Sequence, residues 1–181
     1  FLSKDLKYIS YSDLDITVDK NRGYLKNLHI AQLIDKANIN KKHKVLHIGG
    51  MTGYVSVMLS NICKELIVIE NKSNLFLKLK ENIKKLNINN IKIIKAEFND
   101  GFIPESPYDI IFIDNPIKKL PITIKNQLSK NLGKIIMIKK TSNDLCKAYK
   151  ITNDYKNYTS EYLFDVFTKY ELYEKETEFV F

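Results

Sequence analysis

The chain has 181 residues, of which 44% are hydrophobic and 28% charged, enough apolar matter for one filled core and too much for a disordered segment. No apolar run reaches the roughly 18–20 residues of a membrane span, and no secretory leader pattern is visible. The formal net charge is +8, but Arg22 is the sole arginine and the lysines are dispersed; arginine is the residue suited to bidentate phosphate and base contacts, so the excess reads as a solvated lysine surface and no nucleic-acid partner is expected.

Residues 1–25 mix Tyr, Asp and Lys without a period and read as irregular. Over 27–38 the apolar positions Leu28, Ile30, Ala31, Leu33, Ile34 and Ala37 predict an amphipathic helix. VLHI at 45–48 is a short apolar run that reads as a buried strand. A glycine-rich turn from Gly49 leads into an apolar helix, VSVMLSNIC. ELIVIE at 65–70 is the second strand, and 71–87 a long helix with Leu75, Leu79, Ile83 and Leu86 on one face. Strands follow at 91–96 and 108–114. A helix is predicted over about 119–132, stopped by Gly133, and a fifth strand over 134–139. From 145 to 181 the chain is rich in Tyr, Phe, Thr and Val, which reads as antiparallel strands added to the sheet edge.

Alternation of apolar strands with helices predicts an α/β Rossmann-like fold. It has a mostly parallel central sheet, right-handed crossovers, helices on both faces and antiparallel C-terminal strands. No repeat or low-complexity linker divides the chain. One domain over 1–181 is expected, with a substrate-side segment at 1–40, a cofactor-binding core at 44–140 and C-terminal strands at 141–181. The numbering opens on Phe1 rather than Met, so a preceding piece is expected. Cys63 and Cys146 form no CxxC pair and no His/Cys cluster has zinc spacing. Both read as reduced thiols of a cytoplasmic protein, and no metal is expected.

The strongest local signal is strand, glycine turn, helix, then a strand closing on an acid. Gly49 and Gly53 let the backbone turn sharply and approach a ligand. The following helix offers free N–H groups. Glu70, about 20 residues on, can accept two hydrogen bonds from a ribose diol. A dinucleotide G-x-G-x-x-G read from Gly49 fails at Met51 and Tyr54. The methyltransferase form G-x-G-x-G, through Gly49, Met51 and Gly53, fails only at its middle position.

Further segments are more specific. VLHIGGMTGYVSVMLS, LIVIE, NIKIIKAEFNDGF, SPYDIIFID, LPITIKNQLSKNLGKIIMI, the terminal EFVF and the early FLSKDLKYISYSD together resemble the protein-L-isoaspartate O-methyltransferase family. That family lies within the class I S-adenosylmethionine-dependent superfamily, and the likeness is to a divergent bacterial branch. The resemblance implies methyl transfer from S-adenosyl-L-methionine to a carboxylate of damaged aspartyl residues, with a protein or peptide substrate, as protein repair in the cytoplasm. It implies a cofactor site at Gly49, Gly50, Met51, Gly53, Glu70, Asn71, Ala96 and Glu97. The glycine turn would border the amino acid part, Glu70 the ribose and Glu97 the adenine amino group. Asp114 would lie at the ligand rim of the sheet.

Several positions depart from the family pattern. Where the family has Q-T-I-S-Q-P beside the substrate carboxylate, this chain has Arg22-Gly23-Tyr24-Leu25-Lys26-Asn27, so the serine becomes Leu25 and the proline Asn27. Met51 replaces the middle glycine. No catalytic residue is assigned; Leu25, His29 and Asp114 are candidates beside the acceptor, whereas His47 reads as a core or ligand-proximal histidine rather than a base and His43 as a turn residue. A carboxylate acceptor is already ionised and an aligned sulfonium already activated, so no triad is needed. Two alternatives stay open. One is a divergent or inactive paralogue that binds the cofactor weakly and uses another acceptor. The other is an RNA or protein N-methyltransferase, motivated by Asp114-Asn115-Pro116-Ile117 in place of an Asn/Asp-Pro-Pro-aromatic motif.

Overall fold

The computed structural model describes residues 1–2, 12–142, 144–155 and 157–172. Two strands, β1 (Ile16–Asp19) and β2 (Arg22–Tyr24), form an antiparallel hairpin. Helix α1 (Asn27–Ala37) follows. Then come β3 (Lys44–Ile48), α2 (Tyr54–Ser60), β4 (Glu65–Glu70), α3 (Ser73–Lys85) and β5 (Ile91–Lys95). After two 3₁₀ turns, at Phe98–Asp100 and Ile103–Glu105, the chain continues as β6 (Ile110–Ile117), α4 (Ile122–Asn126), β7 (Asn131–Lys140), β8 (Leu145–Asp154) and β9 (Asn157–Phe167).

Strands β3 to β9 make one seven-stranded sheet in the order β5-β4-β3-β6-β7-β8-β9. The first five in that order run parallel. β8 and β9 are added antiparallel at the edge. The chain is therefore the α/β, mostly parallel sheet expected from the sequence. The parallel strands owe their state to near-continuous apolar runs: every residue of β6 is buried, and so are all of β4 after Glu65. Such runs can be sheltered only between two covering layers.

The two layers are unequal. On one face, Ile30, Leu33 and Ala37 of α1, Val55 and Leu59 of α2, and Leu75, Leu79 and Ile83 of α3 share a core with Val45, Val68, Phe112 and Ile136. On the other, the cover is Phe98, Ile124 of α4, Leu128 and Leu172 over Leu46, Ile67, Ile111 and Met137.

Three expectations need correction. Residues 1–25 contain the hairpin β1–β2 rather than only irregular chain. The helix predicted over 119–132 shortens to five residues, because Tyr108 captures the next stretch. The Tyr108 N–H donates to the Gln127 carbonyl at 2.9 Å and its carbonyl accepts from Ser129 N–H at 2.8 Å. Gly133 then lies inside β7 instead of stopping a helix. The terminal EFVF and most of the early FLSKDLKYISYSD fall outside the described residues. Cys63 and Cys146 are buried and unpaired. Among the described residues no helix is long and apolar enough to cross a membrane.

Candidate active site

Ligand sites in parallel α/β sheets lie at the carboxyl ends of the strands. Here that rim is built by the turn after β3. Gly49 and Gly50 N–H both donate to the Ile69 carbonyl, at 3.0 and 3.2 Å, which stitches the turn to the end of β4. Gly49 and Gly53 have φ of +87° and +99°, a region costly for side chains. Met51 also adopts positive φ, +48°. Its side chain is fully buried in the core, so the methionine leaves the rim and its backbone bears the strain. Gly50 is required for closeness: a Cβ there would stand 2.3 Å from Val68 Cγ1.

Glu70 closes β4 and meets this turn, its Oε2 accepting the Met51 N–H at 2.8 Å. It also meets a residue the sequence had placed elsewhere. Arg22 Nη1 and Nη2 donate to Glu70 Oε1 and Oε2, both at 2.8 Å, and both side chains are fully buried. Lys72 N–H adds a fourth bond, to Oε1 at 3.0 Å. An ionised carboxylate offers about four acceptor sites, and here all four are taken. Arg22 Cζ lies 4.9 Å from the centre of the Phe98 ring. The guanidinium thus spans the ends of β4 and β5. Its Nε is buried without a partner.

Tyr24, two residues along β2, caps the helix side of the turn. Its hydroxyl accepts the Thr52 and Tyr54 N–H groups at 3.2 and 3.4 Å and bonds Thr52 Oγ1 at 2.6 Å. Burial pushes its pKa up to about 12. Residues i and i+2 of a strand share a face, so β2 presents Arg22 and Tyr24 together to the rim.

Residues 168–172 strap the hairpin down. Thr168 Oγ1 bonds Asp15 at 2.6 Å, the Tyr170 hydroxyl pairs with Thr17 at 2.9 Å, Glu171 N–H donates to Asn21 O at 2.8 Å, and Leu172 N–H donates to Pro116 O at 2.7 Å. A Cβ on Gly49 would lie 2.9 Å from Leu172 Cδ1 and 3.2 Å from Arg22 Nη2. The space a glycine opens for a ligand is filled by the chain itself.

The other candidates are dispersed. Asp114 is buried and accepts from, or pairs with, His47 Nε2 at 3.3 Å, while His47 Nδ1 bonds Ser56 Oγ at 2.9 Å. His47 therefore ties α2 to β6 within the core. Leu25 is buried in that core. His29 stacks on Phe164 of β9 with ring centres 6.0 Å apart, and burial lowers its pKa. Ala96 is half-buried and Glu97 exposed beside buried Phe98, and Asn71 Oδ1 is buried without a partner. Asn115 lies inside β6 with its amide directed at Gly23 O, 3.4 Å away. Among the described residues no group of three His, Cys, Asp or Glu side chains is placed to hold a metal. Near the carboxyl ends of β6 and β7, Lys118, Lys119 and Lys139 surround a cavity of about 310 Å³ floored by Leu120, Met137, Tyr149 and Ile151.

A sequence profile of the protein-L-isoaspartate(D-aspartate) O-methyltransferase family matches residues 1–166. The chain belongs to that family. Similar curated relatives are the protein-L-isoaspartate O-methyltransferases of Methanoculleus marisnigri, 22% identical over 75% of this chain and 61% of that one, and of Shewanella pealeana, 24% identical over 92% and 77%. A solved protein-L-isoaspartate O-methyltransferase superposes with a TM-score of 0.79 at 22% identity, covering 92% of this chain and 55% of that chain. Several of the matched proteins are thus considerably longer than this chain. Neighbours of the same fold include a SAM-dependent methyltransferase from Aquifex aeolicus, with a TM-score of 0.52 at 17% identity.

S-adenosylmethionine is the methyl donor of this family of O-methyltransferases. Its adenosyl group does not fit among the side chains as they stand. Glu70 has no acceptor left for a ribose hydroxyl, and the guanidinium of Arg22 fills the interval between Glu70 and Phe98.

Arg22, Tyr24, Phe98 and Leu172 were not among the residues singled out from the sequence. One signal pointed to Arg22: in a chain that otherwise uses lysine throughout, a lone arginine marks a place where a planar two-pronged cation is needed.

Proposed function

We propose that this chain is a protein-carboxylate methyltransferase of the isoaspartate type, working in the cytoplasm on damaged aspartyl residues of proteins. The observation that carries the reading is the meeting of the glycine turn with the acid that closes β4, seen in the 2.8 Å bond from Met51 N–H to Glu70. It stands in a chain that matches the family over residues 1–166. The lysine-edged cavity beside β6 and β7 supports an anionic acceptor: ammonium groups attract a peptide carboxylate, and the apolar floor suits its neighbouring side chains. Gly49, Gly50, Met51, Gly53, Glu70, Asn71, Ala96 and Glu97 remain the proposed donor side, and Asp114 is proposed as a buried support of the rim. The test is transfer of labelled methyl to an isoaspartyl peptide against its aspartyl control. Counts above control on the isoaspartyl peptide support the reading; equal counts on both reject it.

A second reading is favoured by one observation, the saturated Glu70. In it the fold is kept but the donor is bound weakly. Calorimetric titration with S-adenosylhomocysteine separates the two, because an ordinary donor site gives heat at micromolar ligand and a filled one does not.

A further inference from the structure

We propose that Arg22 is an intramolecular competitor of the methyl donor: its guanidinium, clamped on Glu70 and lying over Phe98, stands in for the ribose diol. The inference rests on the reading of this chain as a methyltransferase.

The chemistry of the substitution is specific. A ribose diol presents two O–H donors side by side to one carboxylate. A guanidinium presents two N–H donors side by side, in a rigid plane with matching spacing. Arg22 Nη1 and Nη2 reach one Glu70 oxygen each, at 2.8 Å. The remaining acceptor sites are held by Met51 and Lys72 N–H. Arg22 also covers a ring, as its Cζ is 4.9 Å from the centre of Phe98. It leaves Nε without a partner in the interior. The guanidinium is bonded through the edge that carries Nη1 and Nη2, the edge whose two parallel N–H donors match Glu70.

The competitor is part of a built assembly. The same face of β2 brings the Tyr24 hydroxyl onto Thr52 and Tyr54 N–H. These turn amides would otherwise face the amino acid part of a donor. The strap bonds the hairpin through Glu171 N–H to Asn21 O and lays Leu172 over Gly49. A donor would therefore bind only the fraction of molecules in which the clamp is broken, and its apparent affinity falls by that fraction. Separating a buried, hydrogen-bonded ion pair makes the fraction small, on the order of one in a hundred or less.

The experiment is calorimetric titration of S-adenosylhomocysteine into the native chain and into Arg22→Ser and Arg22→Lys, with circular dichroism to verify folding. Arg22→Ser frees both oxygens, and its affinity is expected to exceed the native value by about a hundredfold. Arg22→Lys keeps the charge that neutralises Glu70, and so the fold, but a single ammonium nitrogen cannot hold both oxygens as the fork does. It is expected to gain less, yet measurably, and it decides the matter should Arg22→Ser not fold. Native affinity equal to that of the folded variants overturns the inference, as does a folded variant that binds no better than the native chain. Labelled-methyl transfer by the same proteins separates the two levels. Tight binding by the variants without transfer to the isoaspartyl peptide leaves the competitor standing and removes the proposed acceptor. Transfer by the native chain at low donor concentration, with no gain in the variants, does the reverse.

Discussion

Two parts of the rim sit side by side and are finished in opposite ways. Between β3, β4 and β5, the polar groups of the glycine turn and of Glu70 are met by side chains from β2, sequence-distant but packed tightly. Beside the ends of β6 and β7, three lysines border a cavity of about 310 Å³ that no side chain fills. The first region is a site with an occupant supplied by the chain; the second is left unfilled, its edge carrying three lysines of which Lys118 pairs with Glu171 at 3.2 Å. A glycine turn and its closing acid can therefore stand in the sequence at the right spacing while the acid's oxygens are bonded to other parts of the chain, as the partners of Glu70 show.

The sharpest way to break this contrast is to remove one half of the buried pair. Glu70→Ala strands the Arg22 charge in the interior, and urea unfolding is expected to show a loss of about 3–5 kcal/mol. A loss below about 1 kcal/mol would mean that the pair is solvated and the rim open. Replacing both halves, by Arg22→Met with Glu70→Leu, is expected to restore most of that stability, since a well-packed apolar pair often matches a buried ionic one. Next in size is Tyr24→Phe, which deprives Thr52 and Tyr54 N–H of their acceptor. The expected cost is about 1–3 kcal/mol, with little change if water reaches the turn.

Alkali probes the same closure without mutation. Tyr24 has a folded pKa of about 12 against the usual 10.0. A raised folded value means its contribution is whole below pH 10 and lost as pH climbs from 10 to 12, because the unfolded chain ionises first. Ultraviolet titration should show tyrosine ionisation in the folded chain lagging behind that in urea, and the lag should shrink in Tyr24→Phe. The smallest effect lies on the open surface. Lys85→Ala removes an exposed i,i+4 pair with Glu81, and no resolvable shift of the urea midpoint is expected, because water and salt screen such a pair. A clear shift would show that exposed lysines of this chain carry structure.

Much of the sheet was legible in the sequence because buried parallel strands are written as unbroken apolar runs, ELIVIE and IIFI among them. The turn and the acid that closes β4 were legible from spacing alone. The hairpin was not: ITVD and RGY are too short to show a period, and their state depends on contacts with β6 and the strap. The helix at 119–132 was overread because its apolar spacing is genuine, yet Gln127 and Ser129 bond to Tyr108 instead of continuing the helical ladder. Arg22 was legible only as the sole arginine, in the stretch set beside the substrate carboxylate, because its partner lies 48 residues away. Nothing local in a sequence records a pairing over that distance.

The most direct measurement is a crystal structure of the native chain grown without ligand. Both guanidinium Nη atoms of Arg22 are expected within hydrogen-bonding distance of the two Glu70 oxygens, with Leu172 over Gly49. An open cleft, with the Glu70 carboxylate facing water and Arg22 turned out of it, would show that the chain does not fill its own donor site.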